Sequence, residues 1–540
     1  MKGHLLQKWT TICRFAIFFL FVSSLAKGEI GSTYYIHDYY HESDEKKIAT
    51  VEVTQTTEVP LQTYLTFTIR RGFLIKQLYL NNTVLGAIES GTKNGDYITY
   101  TKKINSLNYN SYTDGGTKVN FKAEYTFSDI EDLNDLKSIF NYYVPNSTIQ
   151  SPNDANTQEV SQMVTGPGSG SSVNPWKLNF IPSSGPFIIH QMNANSSISN
   201  FDISLNGGDL TFKLEEHTGY FLPNIELNSG SLTLVGKNAT LSSLTMKDGS
   251  LSLKNGAIIN KLTTNKGIVT ITNNTKGYSF QELSIEGDVT IIGDCVIKNE
   301  PTYRKGDFLA EKTAIKDGTV ILKQLRLSPN YPLFVEDGNV TFEEVACAQN
   351  FNSYTSSTPR ITSAIQQKGG NILFKNCYLN NIVNDKNNAD YFIEMNAGSL
   401  TIDGGLYMKS GEIGLLRIIG DAAHAKIKDG IFHSASLNES YSAIYQEKGT
   451  SEISGGQFQA PICIEGGILN ISKAHFPVEN TVWNNIAAHI HILGSQAKVS
   501  LSGGYYGGYA VYIDPTLSIP PRKFISQWLW FLHMESGEPT

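Results

Sequence analysis

The chain has 540 residues, a formal net charge of −7 at pH 7 and 17% charged residues. The charges are spread along the chain, and no basic patch with interleaved aromatic residues occurs, which argues against nucleic acid as a partner. With 47 glycines and many Asn, Ser and Thr residues, the composition is typical of turn-rich β structure.

Residues 1–26 have the pattern of a secretory signal peptide. A positively charged start precedes a short apolar run at residues 16–22, and Ser24 and Ala26 supply the small residues of a cleavage site. The apolar run is shorter than the about 20 residues that a membrane span requires. We therefore predict a mature protein that is secreted or exposed at the cell surface, with no membrane span after signal cleavage.

Residues 29–165 alternate apolar and polar side chains in the manner of strands with one solvated face. The alternating segments are residues 48–54, 63–69, 96–100 and 118–127. Residues 129–140 have the pattern of one short helix. We therefore predict a separate, small β-rich domain of the sandwich type, followed by a Gly/Ser-rich linker at residues 166–175.

From residue 176 onward a short repeat dominates the chain. Its template is Gly-x-aliphatic-x-aliphatic, and it returns at nearly even spacing from Gly230 to Gly249 and again to Gly267. Copies of the template begin at Gly208, Gly230, Gly249, Gly267, Gly287, Gly318, Gly338, Gly370, Gly398 and Gly467. A repeat of this length with one alternating strand per unit indicates a solenoid, whose units bury their apolar faces against their neighbours.

The alternation within the template predicts which side chains are buried. Successive side chains of a strand point to opposite faces, so the two aliphatic residues share one face and the residue between them lies on the other. Units of about 20 residues are too short for a strand and a crossover helix, whereas three short strands joined by turns fit them. The residues predicted to be buried in adjacent parallel strands are Leu232, Leu234, Leu251, Leu253, Val269 and Ile271, with Thr233, Ser252 and Thr270 facing outward.

This pattern resembles the right-handed parallel β-helix proteins, the pectin-lyase-like group that includes polysaccharide lyases and bacterial surface passengers. The resemblance covers residues 176–515 as an architecture. It implies an all-β fold class, a right-handed parallel β-helix solenoid preceded by the small β-rich domain. Residues 516–540 break the pattern with Pro520 and Pro521, and we expect this tail to cap the last coil.

The outward place of the template is Thr or Ser in the first five of these units but Ile321 and Leu373 in two later ones. Each of these follows a lengthened unit, which runs from Gly287 to Gly318 in one case and from Gly338 to Gly370 in the other. We predict that residues 298–311 and 349–362 leave the coil, and that at least one of these segments covers this face.

Near the end of the repeats an aromatic residue follows the strand of each unit. Phe458, Phe476 and Tyr506 occupy this place, and we expect them to pack inward. A second interpretation is ligand binding, because the flat ring and polar tip of tyrosine suit the stacking of sugars. The candidate ligand-binding residues are Tyr505, Tyr506, Tyr509 and Tyr512.

Acidic residues precede several of the unit glycines. Asp317 and Asp337 come in consecutive units, and stacked strands are about 4.8 Å apart, so this pair is a candidate Ca²⁺ site. The alternative is that Asp-Gly is favourable turn chemistry. Lys266, which has the same place in an earlier unit, supports the alternative.

The histidines and cysteines offer further candidates. His489 and His491 share one face of a strand and could bind a metal, but the sequence indicates no third ligand, and we expect a solvated wall instead. Arg417, Asp421 and His424 lie close in sequence without an evident nucleophile. Cys347 and Cys377 belong to neighbouring units, where they are either a disulfide or, in the interpretation we favour, free buried thiols.

Two functions from different classes are compatible with this sequence. The first is a structural or adhesive surface protein that binds a polysaccharide or a host or cell-surface protein without catalysis. The alternative is a polysaccharide lyase or glycoside hydrolase of the β-helix type. The Asn-Thr-Asp, Asp-Asp, Gly-His-Gly and Arg-x-Lys motifs of polygalacturonase-like enzymes do not occur. A groove lined by three or more carboxylates with Arg or Lys would favour the enzyme.

Overall fold

The computed structural model describes residues 18–21, 33–37, 47–56, 62–80, 83–86, 91–104, 121–143, 158–162, 176–191, 201–214, 220–222, 224–236, 239–272, 279–294, 310–327, 333–348, 363–382, 391–410, 414–434, 442–477, 482–483 and 486–517. The chain divides into two compact units, Met1–Ser231 and Leu232–Thr540. Of the predicted tail at residues 516–540, all but the first two residues lie outside the described residues.

Two antiparallel sheets begin the first unit. Their strands are β1 (Phe18–Phe21), β2 (Thr33–His37), β3 (Lys47–Gln55), β4 (Thr63–Arg70), β5 (Phe73–Leu80), β6 (Thr83–Gly86), β7 (Thr92–Asn94), β8 (Tyr97–Ile104) and β9 (Phe121–Phe127). The strand orders are β2-β3-β4-β8-β7 and β1-β9-β5-β6. Alternate residues of β4, namely Leu65, Phe67 and Ile69, are buried. This confirms a small β-rich domain at the N-terminus, whereas its sandwich type and its bounds stay predictions and the predicted linker at residues 166–175 lies outside the described residues.

The helix α1 (Leu133–Tyr143) begins later than the sequence predicted. Asp132 explains the start, because its carboxylate accepts the backbone N–H groups of Asn134 at 2.8 Å and Asp135 at 3.2 Å. Arg71, in the turn after β4, is buried and donates through Nε to Asp135 at 2.9 Å. Arg71 also forms an ion pair with Asp132, so the helix start is tied to the sheet.

The remaining strands of the first unit are parallel. They are β10 (Gln158–Gln162), β11 (Trp176–Phe180), β12 (Phe187–Gln191), β13 (Phe201–Leu214), β14 (Tyr220–Leu222) and β15 (Ile225–Val235), which crosses the unit boundary. The first part of β13 pairs with β11 and its second part with β12. Among the described strands, parallel pairing begins with β10, which pairs with β12, before residue 176.

In the described part of the second unit the strands pair in parallel, apart from one small antiparallel pair, Val482–Trp483 with Ile486–Ala487. Its strands are β16 (Ala239–Met246), β17 (Ser250–Lys254), β18 (Ile258–Thr272), β19 (Phe280–Ile292), β20 (Ala310–Ile315), β21 (Thr319–Lys323), β22 (Arg326–Leu327), β23 (Leu333–Val335), β24 (Asn339–Glu343), β25 (Ala346–Ala348), β26 (Ser363–Gln367), β27 (Asn371–Ile382), β28 (Tyr391–Met395), β29 (Gly398–Ser410), β30 (Gly414–Ile418), β31 (Ala423–Ser434), β32 (Ile444–Gln446), β33 (Thr450–Ile453), β34 (Gln457–Phe458), β35 (Ile462–Ile471), β36 (His475–Phe476), β37 (Val482–Trp483), β38 (Ile486–Ala487), β39 (Ile490–Leu501), β40 (Tyr505–Tyr506) and β41 (Val511–Ile513).

The coils of the second unit repeat up to three strand positions, which we call walls. Wall A follows the unit glycine and includes β17, β21 and β24. Wall B precedes that glycine and includes β20, β23 and β26, whereas wall C follows wall A and includes β22 and β25. Parallel pairs join neighbouring coils within each wall, for example β21 with β24, β23 with β26 and β22 with β25. The predicted parallel β-helix solenoid is therefore confirmed.

The first coils of this unit differ from the predicted three short strands. In β18 and β19, walls B and A form one long strand that bends at the unit glycine. Before the bend β18 pairs with β16, and after it with β17. Gly267 permits this bend, because its φ of +123° turns the chain while the ladder continues. Within the described part of this unit, β22 (Arg326–Leu327) is the first separate strand of wall C.

The core forms as the alternation predicts. Leu251 and Leu253 lie in register with Val269 and Ile271, and all four side chains are buried. Leu232 and Leu234 are buried as well. The outward Thr233, Ser252 and Thr270 are half-buried. The sequence prediction of buried and outward residues is confirmed for these strands.

Glycine is required at the corner between walls B and A for two reasons. Gly338 and Gly370 have φ values of +91° and +66°, which L-residues rarely adopt. In addition, a Cβ at Gly370 would lie 2.4 Å from the carbonyl oxygen of Gly338 in the preceding coil. The coils approach each other too closely at this corner for a side chain.

Aromatic rings form a ladder inside wall C. Neighbouring rings are stacked with centroids 4.5 to 5.2 Å apart. The rings belong to Tyr407, Phe432, Phe458, Phe476 and Tyr506. The inward packing predicted for Phe458, Phe476 and Tyr506 is confirmed, and it places Tyr506 in the interior stack.

Ile321 and Leu373 are half-buried, like the threonines of the same outward column. Ile321 lies in register between Thr290 and Thr341, and Leu373 pairs with Thr341. Residues 310 and 311 belong to β20, while residues 298–309 and 349–362 lie outside the described residues. The covering segments therefore stay a prediction.

Candidate functional site

Asp317 and Asp337 both act on their own turns. The Asp317 carboxylate accepts the N–H of Gly318 at 2.7 Å, and that of Asp337 accepts the N–H of Gly338 at 2.8 Å. This is the Asp-Gly turn chemistry that the sequence offered as the alternative to calcium. Among the described residues, no group of three or more His, Cys, Asp or Glu side chains is placed to hold a metal ion. Calcium binding by this pair stays a prediction.

Charges of opposite sign alternate along the same corner from coil to coil. Lys266 Nζ lies 2.8 Å from Asp248, and Lys316 Nζ lies 2.6 Å from Glu286. Hydrogen bonds from the N–H groups of Lys316, Glu336 and Lys368 to the preceding coil place these three in one column.

The sequence had aligned Asp317 and Asp337 with this column. Asp317 and Asp337 instead lie one residue after this column, because the corners before Gly318 and Gly338 contain one residue more than the corner before Gly287. The signal that was missed is the alternation of Lys, Glu and Lys at the second residue before Gly318, Gly338 and Gly370.

The four candidate tyrosines do not form one surface. Tyr506 stacks on Phe476 in the interior, and burial raises its pKa to about 12. Tyr505 is 54% exposed beside His475, and Tyr509 is 62% exposed. Tyr512 packs against the ring of His491 at 5.5 Å. Tyr505 and Tyr509 are thus the members of the group that solvent reaches most.

The two histidines at the start of β39 are buried rather than solvated. His489 lies 5.0 Å from the ring of Phe476, and His491 Nε2 lies 3.0 Å from the carbonyl oxygen of Ala488. Burial and then the nearby His491 lower the pKa of His489 to about 4. Burial also lowers the pKa of His491. Both rings are therefore neutral parts of the core at pH 7.

The cysteines that are described in full are free thiols. Cys377 and Cys463 are buried and unbridged. Cys377 Sγ lies 3.2 Å from the carbonyl oxygen of Phe342, and burial raises its pKa to about 11. The backbone of Cys347 pairs with Leu379 rather than with Cys377. The favoured interpretation, a free buried thiol, therefore describes Cys377.

Arg417, Asp421 and His424 do not converge, although they are close in sequence. Asp421 lies 3.3 Å from Lys448, and His424 lies 3.4 Å from Glu452 on wall A. Arg417 instead points outward from wall B. There it donates through Nε and Nη2 to Glu447 at 2.8 and 2.6 Å, and through Nη1 to Glu394 at 3.3 Å.

Two tyrosines complete the surroundings of Arg417. The guanidinium lies 5.5 Å from the ring centroid of Tyr391, and the centroids of Tyr391 and Tyr445 are 6.0 Å apart with a tilt of 44°. The Tyr445 hydroxyl donates to Glu465. We call these six residues the wall B cluster: Tyr391, Glu394, Arg417, Tyr445, Glu447 and Glu465.

Gly414 explains how tyrosines two coils apart come together. Tyr391 lies in register with Gly414 of the next coil, and Tyr445 belongs to the coil after that. Two coils span about 9.6 Å, which exceeds the distance between the rings. A Cβ on Gly414 would lie 2.5 Å from Tyr391 Cε1. The missing side chain therefore leaves the space through which Tyr391 reaches toward Tyr445.

Two groups of the wall B cluster, Arg417 and Tyr445, have pKa values above their ordinary values. Burial acts to lower the pKa of Arg417, but the hydrogen bond and charge of Glu447 outweigh it and raise that pKa above its ordinary value. Burial and then the bond to Glu465 raise the pKa of Tyr445. Arg417 and Tyr445 therefore keep their protons at neutral pH and serve as hydrogen-bond donors.

Sequence reasoning singled out Arg417 but missed its partners. Tyr391 and Tyr445 are far apart in the sequence, and the coils between them are unequal in length. The sequence signal that could have found them is the register of the wall B strands, counted along each strand that precedes a unit glycine. The same strand places hold Glu394, Arg417 and Tyr445 in register, one in each successive coil.

No helix among the described residues is long and apolar enough to cross a membrane. Comparison of the chain with protein-family models, with curated proteins and with solved structures gave no match in any of the three.

Proposed function

We propose that this protein is a secreted or cell-surface β-helix with a structural or adhesive role, which binds a polysaccharide or a surface protein without cleaving it. The observation that carries this proposal is the pairing of Arg417. Its guanidinium donates to both Glu447 and Glu394. These ion pairs neutralise the positive charge of Arg417 and the carboxylate charges, which a catalytic site would keep available for the substrate. The wall B cluster supplies contact surface instead.

The alternative is a lyase or hydrolase of the β-helix type. In its favour, three carboxylates and one Arg meet on wall B, which is the combination of residues expected of such an enzyme. Against it, Arg417 retains its proton, so it is a poor base for abstracting a proton from a sugar. The carboxylates of Glu394 and Glu447 are both bound to the guanidinium.

The test separates retention from cleavage. The protein is incubated with a panel of neutral, acidic and amine-bearing polysaccharides and with surfaces coated with matrix proteins. Reducing ends and unsaturated products are measured together with the bound fraction. We expect retention on at least one surface without cleavage.

Arg417→Ala and Glu447→Gln, with Asp403→Asn on wall A as the control, identify the origin of any cleavage. Cleavage that disappears in the first two variants and persists in the control would establish the enzyme and overturn the proposal. If the protein bound none of the polysaccharides or coated surfaces, the adhesive role would be overturned.

A further inference from the structure

The wall B cluster presents two aromatic rings that do not cover each other. The rings of Tyr391 and Tyr445 are tilted by 44° rather than stacked, and both side chains are half-buried. By contrast, the interior ladder pairs its rings nearly face to face, with Tyr407 and Phe432 inclined by only 9°. Because both side chains are partly exposed and the rings are not stacked on each other, ring surface beside the Arg417 guanidinium is open to a third flat apolar group at the outer face of wall B.

Hydrogen-bonding groups surround these rings. A carboxylate has about four acceptor positions, and the bonds described to Glu447 and Glu465 occupy only part of that capacity. Both side chains reach solvent, with Glu447 30% exposed. Flat apolar faces beside hydrogen-bond acceptors match a pyranose ring, which has apolar C–H faces and hydroxyl groups at its edge.

The charge of the cluster selects among polysaccharides. Three carboxylates against one guanidinium leave an excess of two negative charges. The neighbouring Lys448 does not offset this excess, because it pairs with Asp421 at 3.3 Å. An anionic polymer such as a uronate would meet repulsion here, and the only guanidinium of the cluster is already bound to two carboxylates.

We infer that the wall B cluster binds sugar rings of an uncharged polysaccharide, with Tyr391 and Tyr445 as the stacking platform and Glu447 and Glu465 as acceptors for sugar hydroxyls. This inference rests on the proposed function and names its ligand class. Gly414 is a positioning residue, since it lets Tyr391 lie next to Tyr445. Arg417 fixes the carboxylates and the Tyr391 ring and does not itself contact an acidic ligand.

The test measures binding of the full chain to a soluble neutral β-glucan, to polygalacturonate and to chitosan oligosaccharides by titration calorimetry and affinity electrophoresis. We expect the neutral glucan to bind and polygalacturonate not to bind. Tyr391→Ala and Tyr445→Ala should each raise Kd for the glucan about threefold to tenfold, as expected from the loss of one aromatic contact. Gly414→Ala should weaken binding similarly, although it removes no group that contacts the sugar.

Controls separate this site from the end of the solenoid and from loss of folding. Tyr505→Ala and Tyr509→Ala remove exposed tyrosines outside the cluster and should leave Kd unchanged. Tyr445→Phe keeps the ring and loses the hydroxyl that donates to Glu465, so it should bind more tightly than Tyr445→Ala. Circular dichroism and melting temperature confirm that each variant is folded.

The inference would be overturned by preference for polygalacturonate, by preference for chitosan, or by unchanged glucan binding in the Tyr391→Ala/Tyr445→Ala double variant. Retention on protein-coated surfaces without glucan binding would also overturn it, while leaving the adhesive function standing. Cleavage of the glucan would contradict the proposed function but not the location of the sugar site.

Discussion

A buried glutamine shows how single side chains hold the corner between coils. Gln446 donates through Nε2 to the carbonyl oxygens of Gly449 at 3.0 Å and Ile468 at 3.1 Å, and its Oε1 accepts from Ser451 at 2.6 Å. Gln367 makes the same two donations in an earlier coil, to Gly370 and Ser399. Sequence reasoning did not find this role, because a glutamine before a turn is typical of a solvated position.

We expect Ser451→Ala to lower the free energy of unfolding by about 1–3 kcal/mol, because it leaves the buried Gln446 Oε1 without its donor. Ser451 and Gln446 are 1% and 0% exposed. The measurement is urea unfolding followed by circular dichroism. Ser500→Ala, at an exposed position of wall A, is the control and should change stability by less than about 0.5 kcal/mol. Equal effects of the two substitutions would contradict the assignment.

The pKa of His489 predicts a dependence of stability on pH. Burial and then His491 lower that pKa from 6.5 to about 4, so the unfolded chain takes up the proton first. The stabilising contribution is complete above pH 6.5 and is lost as the pH falls from 6.5 through about 4. His489→Phe should therefore lose less melting temperature than the wild type between pH 7 and pH 5. As the control, His475→Phe replaces an exposed histidine, and its melting temperature should change with pH as that of the wild type does. The prediction would be refuted if the melting temperature of His489→Phe fell as much as that of the wild type between pH 7 and pH 5.

Among structural elements, the corner glycines set the spacing of the coils. At Gly370 a φ of +66° coincides with a Cβ position 2.4 Å from the Gly338 carbonyl oxygen. Gly95 has a similar φ of +57° with no atom within 4 Å of its Cβ position. Gly95→Ala should therefore cost only the backbone term of about 1–2 kcal/mol. We expect Gly370→Ala to cost clearly more in urea unfolding, and equal costs would mean that the coils move apart without penalty.

The outward aliphatic residues test whether the long segments cover wall A. If residues 298–309 or 349–362 pack over this wall, Ile321→Thr and Leu373→Thr should each cost about 1 kcal/mol or more through lost apolar burial. Thr270→Ile, in a coil that follows a short unit, is the reverse control and should have little effect. Unchanged melting temperatures in both Thr variants would show that the wall is simply exposed.

For the molecule as a whole, the sequence predicts the repeating parts better than the unique ones. The buried Leu251 and Val269 follow from alternation alone, because each coil repeats the same local rule. The contact between Tyr391 and Tyr445 depends on the lengths of all the turns between them and on the lack of a side chain at Gly414, and no local sequence rule contains this information. A change of one residue at a corner is enough to shift a column, as Lys316 and Asp317 demonstrate.

Residues 18–21 can serve either as part of a cleaved signal peptide or as strand β1 of the folded domain, and processing of the chain decides between the two. As a signal peptide, residues 1–26 would be removed after Ala26. In the structure, β1 within this segment pairs with β9, with Phe18 opposite Tyr125. We expect export to remove β1 and leave β9-β5-β6 as the sheet, because β5 pairs with the other edge of β9 along its length.

N-terminal sequencing of the exported protein should therefore begin at Lys27, and Ala26→Glu, which disrupts the small-residue cleavage site, should block this processing. The matched control, Lys27→Glu, leaves the small residues in place and should still be cut. An exported, folded protein that retains residues 18–21 would show instead that these residues serve as a strand of the mature domain.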